Sequence, residues 1–238
     1  MYGSQSNQKK YSINRLLAAL PQSAYDSLLP DLEIVSLDFK QVIYEPKEQI
    51  TYVYFPLDSL ISLFSVMTDG TAAEVGMVGN EGMVGLAVFL ESDVTPFRAI
   101  VQIPGEAMRM KADVFKQAVS QINSLSCLLH RYTYSLIIQI ALAAACNSYH
   151  TVEQRCCRWL LTMHDSAKSD FFLITQEFLS QMLGVRRASV TEVAGKLQKA
   201  KLISYTRGEI HINNRSGLEA AACECYALVK SEFDRLLG

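Results

Sequence analysis

Apolar residues change their spacing along the chain, and the changes divide it into three parts. Over 12–30 they recur at helical intervals, Leu16, Leu17 and Leu20 and then Leu28 and Leu29, with Pro21 between. Two short helices are predicted there. From about residue 32 to 110 the runs become short and rich in β-branched and aromatic side chains: Val42-Ile-Tyr44, Tyr52-Val-Tyr-Phe55, Leu60 to Val66, and Ala99 to Ile103. Glu45-Pro46, Asp69-Gly70, Gly79-Asn80 and Pro104-Gly105 punctuate them. Many short strands with regular turn signals predict an antiparallel sandwich or barrel.

After Lys111 the strand pattern stops. Residues 112–121 read as a short helix and 124–147 as a long one without Gly or Pro. In the long helix Leu125, Leu128, Tyr132, Ser135, Gln139, Leu142 and Cys146 recur at steps of three and four, the spacing of a helix-pair seam. A second stripe, Leu129, Leu136, Ile140 and Ala143, runs beside it. One stripe is expected to face the β-rich part, and the Leu125–Leu142 seam a second subunit. The expected division is therefore a β-rich domain over 1–122, a dimerisation helix over 123–148 and a helical domain over 149–238. A helix over 150–163 opens the last part and carries the only Trp, Trp159; a loop of small and charged residues runs from there to 170.

The segment from Ile174 to Ile203 carries the function. Thr175 is placed to cap a helix running to Leu183 that buries Phe178, Leu179 and Met182. Gly184 stands at its stop, where a left-handed backbone costs Gly little. About three residues on, a second helix begins, with Val190, Val193, Ala194 and Leu197 spaced i, i+3, i+4, i+7. Two short amphipathic helices joined by a tight Gly-containing turn make a helix-turn-helix. With the apolar stripe inward, Ala188, Glu192, Gly195 and Lys199 point away, with Ser189 and Thr191 on the flanks. Arg187 lies at the helix start, where recognition helices place base-reading side chains. Arg reaches guanine O6 and N7 with two hydrogen bonds, and Glu accepts from cytosine N4. Lys196, Lys199 and Lys201 are expected at phosphates, which position without specifying; Thr175 and Thr191 join this backbone set. Residues 202–212 alternate apolar and polar around Arg207-Gly208, a β-hairpin placed as a wing, with Arg207 at its tip facing the DNA backbone.

Charge supports this placement. The chain carries a formal −2 overall, yet residues 175–215 hold 7 Lys and Arg against 3 Asp and Glu. A local positive patch on a mildly acidic protein suits a polyanion, because phosphates need it only where they touch. The longest nearly apolar run, 136–146, is broken by Gln139 and falls short of the ~20 residues that cross a bilayer. The first twelve residues have no apolar segment of the kind that directs secretion, and are expected to be a flexible tail on a cytoplasmic protein. The six cysteines (127, 146, 156, 157, 223, 225) are expected to be buried thiols, and Cys223-Glu-Cys225 lacks the second Cys or His pair that a zinc site requires, so no metal or cofactor is expected. His130, His150, His164 and His211 show no paired metal spacing, and no nucleophile elbow, phosphate loop or dinucleotide fingerprint occurs. An enzyme is not expected.

Taken together these residues resemble the Crp/Fnr family of transcription regulators over nearly the whole chain. Residues 175–212 are similar to the family's winged helix, and Arg155-Cys-Cys-Arg-Trp-Leu-Leu161 to the helix leading into it. Tyr54-Phe-Pro56, Glu74-Val-Gly76 and Gly79-Asn-Glu-Gly-Met-Val-Gly85 resemble a branch whose effector pocket is degenerate. The resemblance implies an α+β chain: an N-terminal antiparallel β-roll of the cyclic-nucleotide-binding type, a long dimerisation helix and a C-terminal winged helix-turn-helix. It implies a homodimer on a two-fold double-stranded DNA site, in contact with RNA polymerase. It places Arg187, Ser189 and Glu192 at the bases, although Ala188 stands where the best-known members carry Glu, and Glu192 where they carry Arg. Members that bind cyclic AMP follow Gly with Glu-Leu and, further on, Arg with Ser or Thr. Here Leu86 follows Gly85, and Ala99 follows Arg98, the one arginine left to meet an effector phosphate. Cyclic AMP is accordingly not the expected effector. The alternative is a ligand-binding module that acts through protein partners, with weak or no specific DNA binding.

Overall fold

A computed structural model describes residues 14–167, 170–206 and 208–237. Two short helices, α1 (Arg15–Ala18) and α2 (Gln22–Leu28), open it. Asn14 caps α1: its side-chain oxygen accepts from the Leu17 amide at 3.0 Å. Its amide nitrogen donates to the carbonyls of Pro56 (3.0 Å) and Gly82 (2.9 Å). This buried side chain ties the N-terminal helices to the β-rich part.

Seven strands follow: β1 (Glu33–Leu37), β2 (Val42–Tyr44), β3 (Tyr52–Pro56), β4 (Leu60–Val66), β5 (Ala72–Val78), β6 (Phe97–Ile103) and β7 (Gly105–Lys111). They form two antiparallel sheets, β1-β7-β3 and β2-β6-β4-β5. The roll's core lies between them, with Leu37, Val53, Phe55, Ile61, Val101 and Met110 all buried. The long apolar run of β4 has a second cause. Ile61 and Leu63 point into the roll, while Leu60 and Phe64, on the opposite face, join a separate core with Trp159 and Leu160. A strand covered on both sides loses its polar alternation.

Beyond the roll come α3 (Ala112–Gln121), the 27-residue α4 (Asn123–Tyr149) and α5 (Val152–Ser166). Thr151 and Gln154 form a capping box at the start of α5. Then follow β8 (Phe171–Leu173), α6 (Gln176–Leu183), α7 (Arg187–Lys199), β9 (Ile203–Thr206), β10 (Glu209–Ile212), α8 (Arg215–Ala221) and α9 (Cys225–Leu237). The last three strands form a small sheet, β8-β10-β9. The chain is therefore α+β as expected: antiparallel roll, long helix, winged helix-turn-helix.

Two features place the helical unit. Trp159 donates its ring N–H to Glu74 of β5 at 3.2 Å, and Glu74 also accepts from the Ser62 hydroxyl at 2.5 Å. At the far end, α9 returns along α4 and sends Phe233 and Leu237 into the roll's core; the rings of Phe233 and Tyr132 are 6.4 Å apart. Gly82 is required where α4 crosses the roll, since a Cβ there would lie 2.4 Å from the Tyr132 hydroxyl. That hydroxyl donates to the Met83 carbonyl at 3.0 Å.

The seam expected on α4 is corrected by this packing. Leu125, Leu128, Tyr132, Ser135 and Gln139 are buried within the chain itself, and Leu142 is half-buried. Gln139 accepts from the Met77 amide at 3.3 Å. Leu129 and Leu136 of the second stripe are buried as well. Both stripes are taken up by the roll and α9, because α9 adds a second apolar neighbour to α4 that spacing along α4 alone does not reveal.

Candidate nucleic-acid interface

The helix-turn-helix is assembled by local chemistry. Thr175 accepts from the Phe178 amide at 3.1 Å, which satisfies one of the free donors at the start of α6. Gly184 ends α6 at φ +60°. Arg155, largely buried in α5, donates to the Leu183 carbonyl and so takes up an acceptor the helix end leaves open. Leu179, Met182 and Leu183 of α6 pack on Val190, Val193 and Leu197 of α7 in one core with Trp159 and Ile203.

Burial sorts α7 as its spacing implies. Val190, Val193, Ala194 and Leu197 are buried; Arg187, Ala188, Thr191, Glu192, Lys196 and Lys199 are exposed, and Ser189 and Gly195 half-exposed. Among the described residues, nothing beyond the helix's own nearby backbone lies within 4 Å of where a Gly195 Cβ would stand, so this face is open. Glu192 and Lys196 pair at 3.0 Å along the helix, so the carboxylate shares its charge with the neighbouring lysine. The Thr191 hydroxyl donates to the Gln176 side-chain oxygen at 2.8 Å, linking α7 to the foot of α6. Lys201 lies in the exposed turn after α7, at φ +57°. Arg207 lies outside the described residues.

The structure brings two of the expected contacts, Thr175 and Arg187, together. Thr175, Gln176 and Arg187 line a hollow of about 370 Å³ with Tyr205 and Gly208, between the start of α6 and the wing. The Tyr205 hydroxyl donates to the Ile174 carbonyl at 2.8 Å, which ties the wing to the residue before Thr175. A helix start, a guanidinium and a hydroxyl around one hollow suit an anionic oxygen. Lys199 and Lys201 lie further along, at the other end of α7.

Arg98 is held in an ion pair. Its Nε donates to Glu45 at 2.6 Å, a partly exposed ion pair between β6 and the turn after β2. Sequence spacing also left another cluster unseen. Cys146 and His150, at the end of α4, come together with Cys223 and Cys225, so the expectation that the Cys-x-Cys pair lacks partners is overturned. The i, i+4 spacing of Cys146 and His150 was the one available signal; their partners lie more than 70 residues away in sequence. Among the described residues, no helix is long and apolar enough to cross a membrane.

Comparison with known proteins agrees with this geometry. Residues 154–221 match the Crp-like helix-turn-helix domain. Over most of the chain the fold is like that of solved Crp/Fnr-family regulators, as the sequence resemblance implied. A global nitrogen regulator of a Synechocystis species is 22% identical over 211 residues, covering 84% of this chain and 93% of that protein. Among solved structures, FixK2 from Bradyrhizobium japonicum superposes with a TM-score of 0.68 at 16% identity, over 81% of this chain and 98% of that one. A Crp/Fnr-family regulator from Eubacterium rectale gives 0.69 at 14% identity, over 87% and 96%.

Proposed function

We propose that the protein is a homodimeric, sequence-specific DNA-binding transcription regulator that lays α7 in the major groove. One observation carries this reading: the Arg187–Lys199 helix buries one face completely and leaves the other open, flanked by cations and the wing. Arg187, Ser189 and Glu192 read bases; Thr175, Thr191, Lys196, Lys199, Lys201 and Arg207 hold the backbone. The roll serves as the sensor. Family likeness adds contact with RNA polymerase and a place in the cytoplasm, and no catalytic step is assigned.

The second subunit meets α4 on the face that its own chain leaves uncovered. Tyr134 and Ile137 are 53% and 56% exposed, and with Ala141 and Ala144 they recur at steps of three and four. Such spacing forms a helix-pair seam, and the alanines permit close approach.

Cyclic AMP is not the effector in this reading. Leu86 offers a ribose nothing, Arg98 is engaged by Glu45, and Tyr44, Val88 and Ala99 are buried inside the roll. An unpaired buried polar group costs about 1–3 kcal/mol, and a charge more. Titration calorimetry should show no saturable binding; a micromolar dissociation constant abolished by Arg98→Ala would overturn the point. The function itself is tested by selecting duplexes from a random pool and sedimenting the complex. The expected outcome is a two-fold site with half-sites ~34 Å apart, bound by two chains. Recovery of no preferred sequence, with weak and salt-insensitive binding, would favour a module acting through protein partners instead.

A further inference from the structure

We propose that Cys146, His150, Cys223 and Cys225 form a structural zinc site that fastens the C-terminal helix to the long helix. Cys146 and His150 lie one turn apart on the same face at the end of α4. Cys223 and Cys225 flank the turn between α8 and α9. Their ligand atoms all fall within 4.8 Å of one another. The Cys146 and Cys223 sulfurs are 3.4 Å apart, and the Cys225 sulfur is 3.7 Å from His150 Nδ1. A tetrahedral ion with Zn–S of about 2.3 Å and Zn–N of about 2.0–2.1 Å separates two sulfurs by about 3.8 Å and a sulfur from a nitrogen by about 3.5 Å. Those two distances are within a few tenths of an ångström of the tetrahedral values, and every other pair, at no more than 4.8 Å, is within about 1 Å of them.

Two further observations favour a metal over simple thiol packing. The three cysteines, each less than 5% exposed, form a cluster of their own, apart from both apolar cores. His150 turns its other nitrogen, Nε2, to the Glu224 carboxylate at 3.2 Å. That is the outer hydrogen bond which fixes the tautomer and ring orientation of a metal-bound histidine. Three thiolates, one neutral imidazole and Zn²⁺ leave one negative charge. Arg155 and Arg158 of α5 lie close enough to act electrostatically on Cys146 and Cys223 and offset it.

Three sulfurs and one imidazole in tetrahedral reach select zinc among the common divalent ions. Four protein ligands leave no open position, which makes the site structural rather than catalytic. On binding, each thiol gives up its proton to solvent and no electron moves. The ion would join the end of α4 to the α8–α9 turn, and so fix α9, whose Phe233 and Leu237 sit in the roll's core. The helix-turn-helix is thereby held to the long helix at a second point besides the chain itself.

The test uses the full chain, purified reduced, without a polyhistidine tag or chelator, with metal measured by mass spectrometry. One zinc per chain is expected, and the same in Cys127→Ser, which changes an exposed thiol outside the cluster. Cys223→Ser and the milder His150→Gln should lower zinc affinity at least about tenfold, the scale on which even outer-shell changes act. Cobalt exchange should give the intense visible bands of a tetrahedral, thiolate-bound ion, weakened in both variants. Wild-type protein that holds no zinc after reduction and reconstitution, and shows no such cobalt bands, would overturn the site. So would a Cys146–Cys223 disulfide in protein kept reducing throughout.

Discussion

Glu74→Gln tests the contact between the roll and the helical domain. Glu74 of β5 accepts from Ser62 and from Trp159, and burial pushes its carboxyl up to about 7, against the opposing pull of the Ser62 hydroxyl, Arg158 and the Trp159 ring N–H. A carboxyl whose pKa is raised on folding stabilises the fold fully only below its unfolded value of 4.5, and that stability is lost as pH climbs through about 7. Taken whole, the shift corresponds to roughly 3 kcal/mol at 1.36 kcal/mol per pKa unit. The side chain is half-buried, so solvent screening reduces this to about 1–2 kcal/mol. Glutamine keeps one oxygen for the Trp159 N–H, turns its amide N–H to the Ser62 hydroxyl oxygen, which can accept in place of donating, and carries no charge at any pH. The variant should therefore match the wild type near pH 5 and exceed it at pH 8 by about 2–8 °C in Tm, at 2–4 °C per kcal/mol for a chain of this length. Thermal unfolding followed by the fluorescence of Trp159, the only tryptophan, reads the contact directly. A difference that stays flat from pH 5 to 8, or a variant less stable than wild type at pH 8, would show that the carboxylate is ionised and favourably paired, and the reasoning fails.

Three further outcomes are expected. Arg187→Ala should cost about 1–3 kcal/mol on the selected site and relax preference at one base pair, read by competition with single-base variants of that site. An equal loss on random DNA would make Arg187 a phosphate contact in the hollow it shares with Thr175 and Gln176. Lys199→Ala should weaken binding to all sequences alike and lower the salt slope by about one; a loss confined to one sequence contradicts that role. Ile137→Asp should weaken dimerisation about 100-fold or more, because two unpaired carboxylates would be buried across the seam. Since Ile137 is 56% exposed in the single chain, its fold should survive, and a sedimentation profile still dimeric at micromolar concentration refutes the seam.

The amino-acid order alone determined the elements whose reasons are local. Thr175 caps α6, Gly184 stops it, and the Val190–Leu197 stripe turns inward. The hairpin forms around Gly208, at φ +83°. Each depends on neighbours within a few positions, through backbone hydrogen bonds and helical periodicity, so sequence spacing suffices. What tertiary structure decided are the contacts whose partners lie far apart. The stripe from Leu125 to Gln139 is apolar enough for a subunit seam, but the roll and α9 reach it within the same chain. The uncovered face, Tyr134 to Ala144, is marked by what does not pack on it. Arg98 reads as a candidate ligand until Glu45 closes on it. Cys146 and His150 become candidate ligands only when α9 folds back and carries Cys223 and Cys225 to them. Periodicity tells which face of a helix is buried; which surface buries it depends on long-range packing, which no local pattern encodes.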